Sequence, residues 1–183
     1  MIQNNSTVTV HMVCSLDGFI DRPDGDVSWM QSTDQYQSGK VLTDQDIVDY
    51  LNKIDCYVMG SKTYELALRL GWPYGDKPVY VVTDRAFQDP KTSVTFLSGD
   101  LSRIVNHHLR TKYQNIWMVG GAKLTKSFLQ AGLADEIILS IVPVILGGGT
   151  PFFDFVDKEI KLHLKDLTAF QDGMVELTYE IMK

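Results

Sequence analysis

Pro78-Val79-Tyr80-Val81-Val82-Thr83 is apolar almost without interruption, and no other stretch constrains the fold as strongly. A strand with one face in water alternates apolar and polar residues. One that is apolar at nearly every position must be covered on both faces, and helices crossing between parallel strands supply that cover. Residues 7–14, 56–59, 94–97, 116–119 and 136–142 read as further strands of the same style. Four helices fit between them. Thr43 opens the first, with Asp46 three residues on as a capping-box-like pair and Ile47, Val48, Leu51 and Ile54 as its apolar stripe. The second covers residues 61–70. A third, over residues 101–110, buries Ile104, Val105 and Leu109; the fourth, over 122–130, turns Leu124, Phe128 and Leu129 inward and stops at Gly132. The tail differs, because Asp172-Gly173 joins two alternating runs, 162–170 and 174–182, which is a hairpin signal. The chain therefore reads as α/β: a mixed, mostly parallel sheet of about eight strands with helices on both faces and a C-terminal antiparallel hairpin. A single domain over residues 1–183 is expected.

Composition narrows the partners. Apolar residues make up 44% and charged residues 22%, which excludes a disordered or low-complexity chain. Seventeen Lys and Arg against 23 Asp and Glu give a net charge of −6, so broad attraction to nucleic acid or anionic lipid is not expected. Cys14 and Cys56 are the only cysteines, too few for a disulfide framework or a four-cysteine zinc site; both lie in apolar runs and are expected reduced and buried. No metal site is expected. His11 lies mid-strand and reads as a satisfied core histidine, and the adjacent His107 and His108 cannot converge on one ion. MIQNNSTVTV lacks a basic start followed by a long apolar run, and no stretch of about 18 apolar residues exists. A cytoplasmic protein is expected, in which the sequons at Asn4 and Asn5 have no role.

The candidate ligand site lies where strands run straight into helices. Ile116-Trp117-Met118-Val119 leads into Gly120-Gly121 and then Ala122-Lys123-Leu124. Two residues without side chains let a ligand reach the backbone, and a helix start offers free N–H groups and partial positive charge. These suit a pyrophosphate, although the same pair also makes an ordinary tight turn. GxGxxG and GxxxxGK[ST] are both absent. A second junction, Gly60-Ser61-Lys62-Thr63, and a third, Thr83-Asp84-Arg85, end neighbouring strands in the same polar way. Ligands of open α/β sheets bind beyond the carboxyl ends of strands.

With these residues in place, the sequence resembles the dihydrofolate reductase superfold. It is most similar to the riboflavin-biosynthesis reductase branch, the C-terminal domain of bifunctional deaminase-reductase proteins. Four motifs in order carry the resemblance across nearly the whole chain: residues 15–20 (SLDGFI), 59–65 (MGSKTYE), 119–124 (VGGAKL) and 143–153 (PVILGGGTPFF). The HxE and PCxxC motifs of the deaminase half are absent. The resemblance implies a reductase that uses NADPH, with NADH as the alternative, in a homodimer. The loop after the first strand, with Val13, Leu16, Gly18 and Ile20, would cover the nicotinamide. Gly60, Ser61, Lys62 and Thr63 would hold cofactor phosphates; Thr83, Asp84 and Arg85 would border the adenosine ribose. Gly120, Gly121, Ala122, Lys123 and Leu124 would lie against the pyrophosphate, and a cis peptide is implied between Gly120 and Gly121.

Two positions depart from the pattern. Ser61 stands where the family carries a basic residue for the 2′-phosphate, and Asp84 where a small hydroxyl residue is common. Aspartate repels a phosphate but accepts a bond from a free ribose hydroxyl; Lys62, Arg85 and Lys123 are the cations left to compensate.

Hydride transfer asks the protein mainly for geometry and a dry pocket. Any proton for the neighbouring heteroatom comes from a carboxylate or water. The resemblance puts a substrate-binding carboxylate on the first helix, at Asp44. Acidic residues in a first turn also simply offset the helix dipole. Asp17 is the other catalytic candidate, against an ordinary Asp-Gly turn. Gly147, Gly148, Gly149 and Thr150 either cradle a substrate phosphate or pack against the loop at 15–20. Ser140 is a further substrate candidate. The expected activity is reduction of a small heterocycle, a phosphorylated pyrimidine of riboflavin synthesis. Dihydrofolate reduction and a non-catalytic nucleotide-binding protein of the same fold are the alternatives.

Overall fold

A computed structural model describes residues 6–87 and 91–183; Asn4 and Asn5 lie outside the described residues. In chain order the elements are β1 (Thr7–Ser15), β2 (Phe19–Asp21), α1 (Asp44–Lys53), β3 (Cys56–Gly60), α2 (Ser61–Arg69), β4 (Val79–Val82) and β5 (Val94–Leu97). There follow α3 (Leu101–Arg103), β6 (Asn115–Gly120), α4 (Ala122–Gln130), β7 (Glu136–Val142), β8 (Thr150–Pro151), β9 (Leu162–Ala169) and β10 (Val175–Ile181). Eight strands form one sheet in the order β5-β4-β3-β6-β1-β7-β10-β9. From β5 to β7 every pairing is parallel, while β10 runs antiparallel to both β7 and β9.

Both faces of the central strands are covered, as the continuous apolar run at 78–83 requires. Cys56 and Val58 of β3, Tyr80 of β4 and Ile116 and Met118 of β6 pack with Phe128 and Leu129 of α4. The alternating residues Tyr57, Met59, Val79, Val81 and Trp117 pack on the other face with Tyr64 of α2 and with Tyr50 and Ile54 at the end of α1. Cys14 and Cys56 are buried thiols, and burial pushes them up to about 11 and about 12 respectively. Among the described residues no helix is long and apolar enough to cross a membrane.

Three expectations are corrected. The helix over 101–110 is one α-helical turn, Leu101–Arg103, continued by a π-helical segment, Ile104–Leu109, which still buries Ile104, Val105 and Leu109. The stripe of α1 is not buried: Ile47 and Val48 are 43% and 47% exposed, and only Ile54, just past the helix, enters the core. α1 thus packs at its C-terminal end and stands clear of the sheet at its start. Leu124 is only half-buried. The small β2–β8 pairing had no sequence signal of its own. At their other ends β1 and β7 are clamped by a half-buried cluster. Asp135 Oδ2 accepts from Val8 N at 2.8 Å and Arg110 Nη2 at 2.7 Å, and Oδ1 accepts from Lys183 Nζ at 2.6 Å.

Burial works against the Asp135 charge, but these donors outweigh it and hold the carboxyl below its ordinary value. A depressed folded value contributes stability above the unfolded pKa of about 4 and loses it as pH falls through the folded value. Asp135→Asn should cost about 2 kcal/mol at pH 7. In urea denaturation, the gap to wild type should close on acidification below about pH 4.

Candidate functional site

The parallel register brings the ends of β3 and β6 side by side, with Met59 opposite Gly120. A helix begins at each end. α2 starts after Gly60 and α4 after Gly121, and neither N-cap glycine supplies a side chain to the first-turn amides. The other two helices are capped: Thr43 accepts from Asp46 N, and Asp100 from Arg103 N. A Cβ on Gly121 would come within 3.5 Å of Thr63 Oγ1, so the two uncapped starts face each other closely. Free amides of residues 61–63 and 122–124 at two adjacent helix starts could seat an anion.

Glycine is strongly favoured at position 120. Its φ is +124°, and a Cβ there would collide with Met12 Sδ. The Gly120–Gly121 peptide is cis, as the resemblance implies.

The structure places Ala122 in the core and leaves Lys62 and Lys123 exposed, neither in an ion pair among the described residues. Arg85 is spent differently. Its guanidinium binds Glu65 at 3.2 and 2.5 Å and reaches Ser61 Oγ at 3.4 Å, which diminishes it as a free cation for a ligand. Thr83 Oγ1 accepts from Arg85 N at 3.1 Å, and Asp84 is exposed.

The loop after β1 and the glycine loop after β7 are tied together by Asp17. Its Oδ1 accepts from Ser15 Oγ at 2.7 Å and Leu146 N at 3.0 Å, and its Oδ2 from Gly147 N at 2.7 Å. Leu16 N donates to Val144 O and Phe152 N to Gly18 O, while Thr150 N donates to Asp21 Oδ1. Hydrogen bonds from Ser15 first, and then from the two backbone amides, hold the Asp17 carboxyl down to about 2. A group ionised at neutral pH has no proton to deliver, so this geometry makes Asp17 a tie between loops. Gly149 has φ +143°, and a Cβ would strike Asp21 O, so its bare backbone serves the β2–β8 contact. Gly147, with its amide taken by Asp17, cannot offer that amide to a phosphate; Gly148 packs beside Pro23. Leu16 is 64% exposed beside this seam, and Ile20 is half-buried.

Beside these helix starts lies a row of three residues. Val13 of β1 is opposite Ser140 of β7, which is opposite Glu176 of β10. Ser140 is buried and its Oγ donates to Glu176 Oε2 at 3.0 Å; His11 Nε2 lies 3.2 Å from that Oγ and its Nδ1 2.8 Å from Tyr50 Oη. The imidazole stacks on Trp117 with centroids 4.9 Å apart, and burial pushes it down to about 4, so it is neutral at pH 7. His11 is indeed a satisfied histidine. Sequence reading missed Glu176, because nothing in a C-terminal hairpin strand flags which glutamate faces a buried serine two strands away. Asp44, on the first turn of α1, is exposed and makes no side-chain hydrogen bond among the described residues.

Comparison with known proteins gives the frame. Residues 6–176 match the family model of the RibD C-terminal domain. An uncharacterized Bacillus subtilis protein, YwjB, is 32% identical over 172 residues, 93% of this chain and 95% of YwjB. A putative riboflavin biosynthesis protein from Shewanella sp. PV-4 superposes with a TM-score of 0.83 at 24% identity, covering 97% and 99% of the two chains. The Thermotoga maritima diaminohydroxyphosphoribosylaminopyrimidine deaminase/5-amino-6-(5-phosphoribosylamino)uracil reductase gives 0.69 at 16% identity, over 97% of this chain and 57% of that one. Enterococcus faecalis dihydrofolate reductase complexed with NADP(H) gives 0.62 at 15%, covering 97% of each chain. These likenesses establish the dihydrofolate reductase-like fold.

Removing the Asp17 carboxylate should release the glycine loop. In Asp17→Ala, amide exchange at Leu146 and Gly147 is expected to speed up by about tenfold or more. In the wild type their protection should survive acidification to about pH 3, because the carboxyl titrates lower still.

Proposed function

The chain belongs to the RibD C-terminal domain family, whose relatives are reductase-type enzymes, and from that premise we propose that it is an NADPH-dependent reductase of a small pyrimidine-like heterocycle. One observation carries the reading: two glycine-capped helix starts, α2 and α4, open toward each other beside Gly120-Gly121. Their free amides, with Lys62 and Lys123, fit a dinucleotide pyrophosphate. Ser61, Thr63, Ala122 and Leu124 complete the phosphate end, and Thr83, Asp84 and Arg85 border the ribose. NADPH, when bound, supplies the hydride.

The rest is the work of this chain's own residues. Val13, Leu16, Gly18 and Ile20 form the apolar side against which the ring is held, and the Asp17 tie keeps that loop in place. Ile47 and Val48 at the start of α1 are exposed, and in this reading a flat substrate would lie over Val13 and Ser140. Asp44, exposed in the first turn of α1, would border that substrate and pass it a water-borne proton. Gly148 and Thr150 would border it on the loop side. Ser61 and Asp84 disfavour a 2′-phosphate, so NADH is the alternative cofactor.

A homodimer in a single-domain arrangement completes the reading. β9 carries an extra residue, Lys165, where its register with β10 shifts. On either side of that bulge, Leu162, Leu164 and Leu167 face the same way, opposite Ile181, Tyr179 and Leu177. Ile181 packs on the α4 side of the core, so these exposed leucines extend an apolar sheet face. A second copy is the occupant that satisfies such a self-complementary face.

Isothermal titration with NADPH and NADH tests the redox reading. Binding should weaken by about threefold to tenfold in Lys62→Ala and in Lys123→Ala, and Asp84→Ser should move the preference toward NADPH. Absence of binding by either cofactor would leave only a nucleotide-free scaffold of this fold. For the pairing, Leu164→Glu with Leu167→Glu should give a monomer by light scattering, while a wild-type monomer would remove the dimer from the proposal.

A further inference from the structure

Glu176 has no cation beside it among the described residues. Neighbouring Glu136 pairs with Lys165 and accepts from Thr9 Oγ1, and Lys165 also feels Glu180. Glu176 instead lies 3.7 Å from His11 Nε2, on an imidazole that burial keeps neutral at pH 7. Its only hydrogen bond among the described residues is from Ser140, to Oε2, so Oε1 has no donor. The side chain is 30% exposed, beside buried Ser140. A carboxylate oxygen without a protein donor is left for water or a ligand to satisfy.

The surroundings fix its direction. Ser140 is oriented by His11, whose other nitrogen is held by Tyr50, and Trp117 both stacks on the imidazole and donates to His11 O at 2.8 Å. His11, Tyr50, Trp117 and Ser140 therefore form a rigid support behind the carboxylate. The row Val13–Ser140–Glu176 places this acceptor about 10 Å from Val13, two strand spacings along the sheet. That is the reach of a small ring system lying between the nicotinamide position and the carboxylate.

We propose that Glu176 is the substrate-anchoring carboxylate of this site, accepting from adjacent N–H donors of an aminopyrimidine edge, with Ser140 and His11 as positioning residues. The inference rests on the reductase reading above, and takes the recognition role from Asp44 on α1 to β10. Specificity follows from the chemistry: an amino group beside a ring N–H presents two parallel donors that a carboxylate meets with both oxygens or with one and its serine-held partner.

The test uses the intact protein saturated with NADP+, titrated with 6-aminouracil by ligand-observed NMR. A parallel titration uses 1-methyl-6-aminouracil, which lacks one of the two donors. Wild type should bind 6-aminouracil more tightly than the methylated probe. In Glu176→Gln, whose amide oxygen can still accept from Ser140, 6-aminouracil affinity should fall by about tenfold or more and the difference between probes should vanish. NADPH affinity and melting temperature should stay unchanged, and Ser140→Ala should give an intermediate loss. Equal binding of the two probes by wild type, no detectable 6-aminouracil binding, or an unaltered affinity in Glu176→Gln would each overturn the assignment. Failure of wild type to bind NADPH would overturn the redox reading instead, and the 6-aminouracil comparison, repeated without cofactor, would still decide the role of Glu176.

Discussion

Parallel pairing of β3, β6, β1 and β7 is the constraint on which the rest of the structure depends. Because these strands run together, their carboxyl ends share one edge, and every loop that leaves them begins there. Parallel strands need crossover connections, and the crossovers start as helices beside that edge. Two such starts, on neighbouring strands, carry glycine caps with no side chain to satisfy the first-turn amides. An antiparallel arrangement of the same strands would have scattered these features over both ends of the sheet.

The same edge needs order in its loops, and hydrogen bonding to one carboxylate provides much of it. Asp17 gathers Ser15, Leu146 and Gly147, while β2 and β8 pair alongside. Charge-assisted bonds to backbone amides are stronger than neutral ones, and they depress the pKa of the group that accepts them. A carboxyl used this way is fixed in one protonation state. It therefore belongs to the scaffold of the site, whatever chemistry occurs beside it.

Much of this was legible in the sequence, and the limits have physical causes. The eight strands of the sheet, the hairpin at Asp172-Gly173 and helix α4 follow from local pattern, because burial on both faces or on one stripe writes itself into successive residues. The capping box at Thr43 and Asp46 was legible for the same reason. The apolar stripe of α1 predicts burial, whereas Ile47 and Val48 stay exposed because only the C-terminal end of the helix meets the core, a placement that the tertiary arrangement sets. The π-helical segment at Ile104–Leu109 keeps its apolar residues buried, so burial pattern alone could not distinguish it from an α-helix. Glu176 and Ser140 lie 36 residues apart and meet through a register that no local signal encodes.

The edge is also divided electrostatically. At β3 and β6 the helix starts, with two lysines that have no ion pair among the described residues, make it positive; at β10 a carboxylate with no cation beside it among the described residues makes it negative. The two poles are about 14 Å apart, three strand spacings, with apolar Val13 between them. Neutral His11 preserves this division, since an imidazolium in the same place would cancel the Glu176 charge. Burial against Trp117 is what keeps it neutral, so aromatic packing on one face of the sheet sets the polarity of the site at its end. A pair of ligands with anionic phosphates on one side and N–H donors on the other matches that polarity in only one orientation along the edge.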